Sequence, residues 1–98
     1  MKKYIAMFHT KAGLVIEEVD GKPFKEDNRL FIYKLNLIAS HIWMLADKEC
    51  GLYICKGKTQ KALIENYHRV KDRYDGMYHK EVHIKRIRDF KELGGHNE

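Results

Sequence analysis

The chain has 98 residues, of which 44% are hydrophobic and 34% charged, with one proline and seven glycines. This length suffices for one buried core and is too short for two, and the composition excludes a disordered or collagen-like polymer. The formal net charge is +5, so we expect one domain, residues 1–98, whose surface attracts anions.

Two apolar segments and two cysteines bear on where the protein resides. Residues 4–8 are too short a run for a secretion signal. Residues 35–46, the longest stretch without a charged side chain, fall short of the ~20 apolar residues of a spanning helix. Cys50 and Cys55, if both lie on one strand, are about 16 Å apart, which is beyond disulfide reach. We expect a reducing cytoplasm and no membrane partner.

The first quarter of the chain is typical of a β-hairpin. Residues 3–9 and 14–19 predict two strands, joined by a turn at residues 11–13. Asp20-Gly21 predicts a second turn. Residues 22–28 contain the single proline and predict a loop.

The middle of the chain predicts three further strands. Residues 30–36 are rich in aromatic and β-branched types, which favours a mostly buried strand. Residues 42–45 and 52–55 are short apolar runs around the polar, glycine-ended turn at residues 47–51, and this pattern favours a second hairpin. A helical stripe is the alternative for part of this segment, formed by Leu35, Ile38, Ile42 and Leu45.

An amphipathic helix is predicted over residues 59–75. Thr59 can cap the first N–H groups of the helix, and Asp75-Gly76 is typical of a helix end. Charged residues fall on the opposite face, where Glu65 and Arg69 are ordered for an i,i+4 ion pair. The apolar stripe that we expect to face the sheet consists of Leu63, Ile64, Tyr67, Val70 and Tyr74.

The segment over residues 78–93 has two interpretations. Tyr78, Val82 and Ile84 favour a strand, which we place through Arg86 and follow with a short helical turn. The alternative is a second helix, lined by Ile84, Ile87 and Phe90. Together the elements predict an α+β fold in which an antiparallel sheet of four or five strands packs against one main helix.

Residues 29–70 therefore predict a strand, a hairpin, a glycine and a threonine-capped helix. Through Ile42-Trp43, Gly51-Leu52-Tyr53-Ile54, Gly57 and Thr59 this segment resembles the small ββα units common in proteins encoded by phages and other mobile elements. The resemblance implies a compact accessory or inhibitory protein that acts by surface contact.

Several short motifs resemble chemical sites. Gly57-Lys58-Thr59 resembles the end of a phosphate-binding loop, but Gly51 lies one residue too far upstream for that motif. Cys50, Cys55 and His68 begin like a zinc site and lack a second histidine at the usual spacing. No nucleophile and base can be paired from their spacing. We therefore predict no enzyme activity, no catalytic residue, no metal site and no cofactor.

Positive charge is concentrated in the second half of the chain. Residues 56–91 carry eleven Lys and Arg against five Asp and Glu, whereas residues 1–55 are close to balance. Such a surface attracts phosphates or an acidic protein. If the last element folds back onto the helix, the candidate binding residues form one patch: Lys58, Lys61, Arg69, Arg73, Tyr78, Lys85, Arg86 and Arg88.

Two functions follow from these observations. The first is non-enzymatic protein–protein contact through a sheet face or edge, with Trp43 and Tyr53 as anchors. The alternative is nucleic-acid binding by the basic surface of residues 56–91, which needs a positive groove with accessible aromatic faces. A third interpretation of the basic patch, that it only keeps the protein in solution, also remains open.

Overall fold

The computed structural model of the protein describes residues 2–98. Five strands precede two helices, which confirms the predicted α+β class. The elements are β1 (Lys2–Thr10), β2 (Gly13–Pro23), β3 (Leu30–Asn36), β4 (His41–Asp47), β5 (Tyr53–Gly57), α1 (Gln60–Met77) and α2 (Glu81–Glu92).

The strands form one antiparallel sheet in the order β1-β2-β3-β4-β5. β2 pairs with β3 over only three residues, Gly21 to Pro23, so the β1–β2 hairpin is free to turn out of the plane. Tyr4 on β1 stacks on Phe31 with ring centroids 4.3 Å apart, and the Met7 N–H donates to the Gly51 carbonyl at 2.8 Å. The hairpin therefore lies across one face of the β3–β4 ribbon.

The predicted turn at Asp20-Gly21 is wrong, and β2 continues through Pro23. Gly21 serves a close approach of backbones instead: a Cβ at this position would lie 2.6 Å from the Ile32 carbonyl oxygen. Gly21 lies where the pairing of β2 with β3 begins and where the two backbones come close together. The loop predicted for residues 22–28 consequently starts after Pro23.

The two faces of the sheet carry separate buried clusters. On one face, Leu30, Ile32 and Leu45 pack against the helix residues Leu63 and Tyr67. On the other, β1 residues pack on side chains of β3 and β4, and this second cluster comprises Tyr4, Ala6, Phe31, Tyr33, Met44 and Ala46. Strand alternation explains the division, because successive residues of β3 point to opposite faces.

Helix α1 begins as predicted and ends later. The Thr59 hydroxyl oxygen accepts the Ala62 N–H at 3.0 Å, and the predicted stripe packs inward with Leu63, Tyr67 and Tyr74 buried. The helix continues through Gly76 to Met77. The left-handed residue that follows it is His79, with φ of 58°, so the predicted glycine stop was misplaced by a few residues.

The strand predicted from Tyr78 through Arg86 is wrong, because this segment contains α2. His83, Ile87 and Phe90 are buried at helical spacing, whereas Val82 is 57% exposed. A strand would have turned Val82 and Ile84 inward. The alternative, a second helix, is right in type and in the burial of Ile87 and Phe90, but it is wrong for Ile84, which is 41% exposed.

Within residues 2–98, neither helix has the combination of length and apolar character that crossing a bilayer requires.

Gly57 should be far less tolerant of substitution than Gly76. A Cβ at Gly57 would lie 2.5 Å from the Leu63 backbone nitrogen, whereas nothing lies within 4 Å of one at Gly76. We expect Gly57→Ala to lower the free energy of unfolding by about 1–3 kcal/mol through overpacking. Gly76→Ala should raise it by up to about 1 kcal/mol because alanine favours helix. Urea unfolding measures both, and equal stability of the two variants would contradict the described packing of α1 on β5.

Candidate functional site

The carboxylate of Asp47 organises the junction between the sheet and both helices. Its Oδ1 accepts the backbone N–H groups of Glu49 at 2.7 Å and Cys50 at 3.3 Å. Its Oδ2 accepts the Tyr74 hydroxyl at 2.5 Å and faces His83 Nε2 at 2.8 Å. Asp47, Tyr74 and His83, which we call the Asp47 cluster, are all buried, and they join the β4–β5 turn to α1 and α2.

The ring of His83 is held in one tautomer. The His79 backbone N–H donates to His83 Nδ1 at 2.9 Å, so Nδ1 must carry a lone pair. In neutral imidazole the proton then sits on Nε2, from which it is donated to Asp47. All the bonding positions of this buried pair are thereby satisfied within the protein.

Asp47, Cys50 and His83 place their potential ligand atoms within 4.8 Å of one another, which invites comparison with a metal centre. Two features of the geometry oppose it. The lone pair of His83 Nε2 is not free, and the 2.8 Å separation from Asp47 is shorter than the ~3.3 Å between two ligands of a tetrahedral zinc. Burial, with the charge of Asp47 adding to it, raises the pKa of the Cys50 thiol to about 12, so without a metal ion Cys50 is protonated. The group is a hydrogen-bonded core element in this conformation.

The set considered for zinc in the sequence is not brought together. Cys55 is buried on the helix-facing side of the sheet, where its thiol lies 3.9 Å from the Leu63 carbonyl oxygen, and burial raises its pKa to about 11. His68 lies on the surface of α1 and contacts Glu26 at 2.8 Å. Neither residue belongs to the group around Asp47.

A second polar layer covers the Asp47 cluster. The Arg29 guanidinium lies 4.7 Å from the ring centroids of both Tyr74 and Tyr78. The Tyr78 hydroxyl donates to Glu49, whose other neighbour is the His79 ring at 2.8 Å. Burial alone would raise the pKa of Glu49, but these two hydrogen bonds lower it. Tyr78, a candidate binding residue, is thus already engaged on both its ring face and its hydroxyl.

An open groove lies where the β1–β2 hairpin, the start of β5 and α2 meet. This part has a volume of about 480 Å³, and a smaller, separate depression adjoins it, lined by β5, α1 and Arg86 of α2. Tyr53 and Arg86 line both parts, and Tyr53 is 47% exposed. We call this feature the Tyr53 groove; its other polar lining residues are His9, Arg73, Lys85 and Asp89.

The predicted basic patch is therefore divided by the fold. Arg73, Lys85 and Arg86 come together in the Tyr53 groove, and Arg69 lies one helical turn before Arg73. Lys58 immediately precedes the cap of α1. The remaining two lie elsewhere. Lys61 is on the outermost face of α1, about 120° around the helix from Arg73, and Arg88 lines a separate surface of α2 with Ile84 and Lys91.

The charged groups of the groove differ in whether they are already paired. Lys85 contacts Asp89 at 3.0 Å on the surface of α2, an exposed pair that contributes little to stability. Across residues 2–98, the ion pairs formed by side chains do not include Arg73 or Arg86. Arg73 and Arg86 therefore line the same depression as Tyr53 without an ion pair to a carboxylate.

Sequence reasoning missed the Asp47 cluster and the place of Tyr53 in the basic surface. Asp47 was seen only as part of a turn, and no local pattern connects it with Tyr74 and His83, which lie 27 and 36 residues away. Tyr53 was considered only as an anchor for a protein. Trp43, its proposed companion, packs against the helix-side core beneath Lys34.

No known protein family, curated protein or solved structure was found to match this chain.

Loss of the Asp47 carboxylate should be costly. Asp47→Ala would leave the His83 Nε2–H, the Tyr74 hydroxyl and two backbone N–H groups without their acceptor, and we expect a loss of about 3–5 kcal/mol in the free energy of unfolding. Glu49→Ala is the matched control, because Glu49 makes exposed contacts, and it should cost less than about 1 kcal/mol. Urea unfolding of both variants tests the comparison, and similar losses would contradict the central position of Asp47.

Proposed function

We propose that this domain is a non-enzymatic binding protein whose ligand is single-stranded nucleic acid, held in the Tyr53 groove. The observation that carries the proposal is the half-exposed Tyr53 ring standing beside Arg73 and Arg86, two guanidinium groups without carboxylate partners. A base can stack on an accessible aromatic face, while arginines bind the flanking phosphates bidentately.

Local charge supports an anionic ligand. Residues 50–64, which include β5 and the first turn of α1, contain no Asp or Glu, and α1 has no acidic residue in its first turn. The only carboxylate lining the Tyr53 groove, among the residues described, belongs to Asp89. Lys85 pairs with that carboxylate, so a phosphate entering the groove meets net positive charge.

The groove also has the apolar surface that bases require. Leu14, Leu52 and Val82 line it beside Tyr53, and Val82 is more than half exposed. The groove is open along its length, which suits a strand passing through it rather than a small molecule enclosed by protein. Tyr53 provides stacking without base-specific hydrogen bonds, so we expect weak sequence preference.

Binding of a fluorescent oligothymidylate, measured by polarisation, tests the stacking role of Tyr53. Tyr53→Ala should weaken binding by about tenfold, because stacking of one base is worth ~1–3 kcal/mol. Tyr53→Phe keeps the ring and should bind within about twofold of the original chain. The same loss in both variants would contradict the stacking role.

Arg86 lies in the groove and Arg88 lies outside it on the same helix, so the two residues allow the role of charge in the groove to be tested with a matched control. Arg86→Glu should weaken binding more than about tenfold, whereas Arg88→Glu makes the same charge change outside the groove and should have a small effect at 0.15 M salt. The affinity of the original chain should fall steeply as salt rises. No binding at low salt, or equal losses for the two variants, would overturn the proposal.

Protein contact is the second candidate, and a different surface favours it. The β3–β4 connection closes through a hydrogen bond from the Leu37 N–H to the Ser40 carbonyl at 2.8 Å, and it presents two apolar side chains to solvent. Leu37 is 48% exposed and Ile38 is fully exposed. An apolar tip of this kind fits a hydrophobic socket on another protein. The accessory or inhibitory role implied by the resemblance would use such a contact.

The two candidates predict opposite responses to substitution. If a protein is the ligand, a partner captured from nuclease-treated lysate should be lost with Ile38→Asp and retained with Tyr53→Ala. If the groove is the functional surface, Ile38→Asp should leave oligothymidylate binding unchanged. A partner that disappears on nuclease treatment, or that both variants capture, would count against protein contact at the tip.

A further inference from the structure

We infer that the Tyr53 groove is one end of a longer nucleic-acid track, which continues along the free edge of β5 to Lys58 and takes a strand of about four to seven nucleotides. This inference rests on the proposed function and adds to it the path and the length of the ligand.

One face of α1 lies along the edge strand. β5 pairs only with β4, and the Asn66 side chain donates to the Lys56 carbonyl at 2.7 Å. Further along, Val70, Arg73 and Met77 line the groove beside Tyr53 and Ile54. Contacts near both ends of α1 thus place the same side of the helix against β5.

This side of α1 carries positive charge and no carboxylate. With 3.6 residues per turn, five side chains fall within about 80° of the helix circumference: Ala62, Asn66, Arg69, Arg73 and Met77. The exposed acids Glu65 and Asp72 lie outside this arc, toward the outermost face. Between Lys58 and Arg69 this side of α1 carries only Ala62 and Asn66, and the Asn66 amide is held against the Lys56 carbonyl, so the strand passes over two small side chains.

The strand end supplies the remaining charge. Lys56 and Lys58 are exposed on either side of Gly57. Within residues 2–98 neither forms an ion pair. Lys58 also stands just before the N-terminus of an eighteen-residue helix, where the helix dipole adds to the attraction for a phosphate.

The span sets the expected ligand length. From the start of α1 to Arg73 is about 20 Å at 1.5 Å per residue. At the stacked spacing of ~3.4 Å per nucleotide this distance covers about six nucleotides, and fewer if the strand is extended. Site sizes from ~4 nucleotides upward are typical of small single-strand-binding domains.

A length series of oligothymidylates, from two to twelve nucleotides, tests the track with the full chain. Affinity should rise with length by at least about tenfold and level off between about four and seven nucleotides. The double variant Lys56→Glu, Lys58→Glu should bind the shortest oligonucleotides as the original chain does and lose most of the gain with length. Lys61→Glu, Lys71→Glu is the matched control, because it reverses two charges of α1 outside the track, and it should keep the gain.

The results of this length series distinguish binding along the whole track from binding in the Tyr53 groove alone. Affinity that depends on Tyr53 and Arg86 but does not increase beyond three nucleotides would overturn the track and leave the groove intact. Equal losses in the two double variants would likewise overturn it, because a diffuse field would then explain the length dependence. Absence of binding at every length would overturn the proposed function together with the inference. Circular dichroism of each variant establishes that it is folded.

Discussion

The hydrogen bonds of Asp47 are the interaction on which the rest of the structure depends. A short turn, the end of one helix and the start of another each contribute a donor to one buried carboxylate. Since a buried carboxylate without donors is strongly unfavourable, these elements are held in a single relative arrangement. α2 is also attached through the buried side chains of Ile87 and Phe90, and His83 fixes the end of it that carries Lys85 and Arg86. The hydrogen bond between His83 and Asp47 therefore also fixes the position of Lys85 and Arg86, which lie within one helical turn of His83.

The hydrogen bonds of this cluster account for its structural role in this conformation. His83 accepts at Nδ1 and donates at Nε2, so it has no lone pair directed toward a metal or a nucleophile. The nearby Cys50 thiol has its pKa raised by burial, which opposes the formation of a reactive thiolate. A cysteine, a histidine and an aspartate lie within a few ångströms of one another, but both ring nitrogens of this histidine are taken up by hydrogen bonds within the protein. If His83 Nδ1 faced a carbonyl oxygen instead, Nδ1 would carry the proton and Nε2 would have a lone pair free for a metal or a proton.

Local sequence patterns predicted the elements that are amphipathic over many residues. The α1 stripe and the β4–β5 hairpin were predictable because their period and their turn lie within one short window. The role of Gly21 was not, because it depends on the close approach of β3, eleven residues away. α2 was misassigned because its apolar residues serve two purposes: Ile87 and Phe90 pack inward, while Val82 faces the groove. Of the candidate site, the charge was predictable from the sequence, but the selection of Arg73 and Arg86 from eight candidates required the fold.

The Asp and Glu side chains are unevenly distributed over the structure. Residues 28–46 and 50–64 contain no Asp or Glu, so three of the five strands are nearly free of acidic side chains. The exception between them is the turn with Asp47 and Glu49, whose carboxylates are occupied by hydrogen bonds to Tyr74, Tyr78 and histidines. Elsewhere acids neutralise basic groups that have a structural task, as Asp27 and Asp75 do for Arg29. Among the described residues only three Lys or Arg side chains, Lys3, Arg29 and Lys85, form such pairs, so an unpaired charge does not by itself mark the arginines beside β5. Their distinguishing feature is their position beside the exposed ring of Tyr53. The proposed binding surface rests on this combination of guanidinium groups and an accessible aromatic ring.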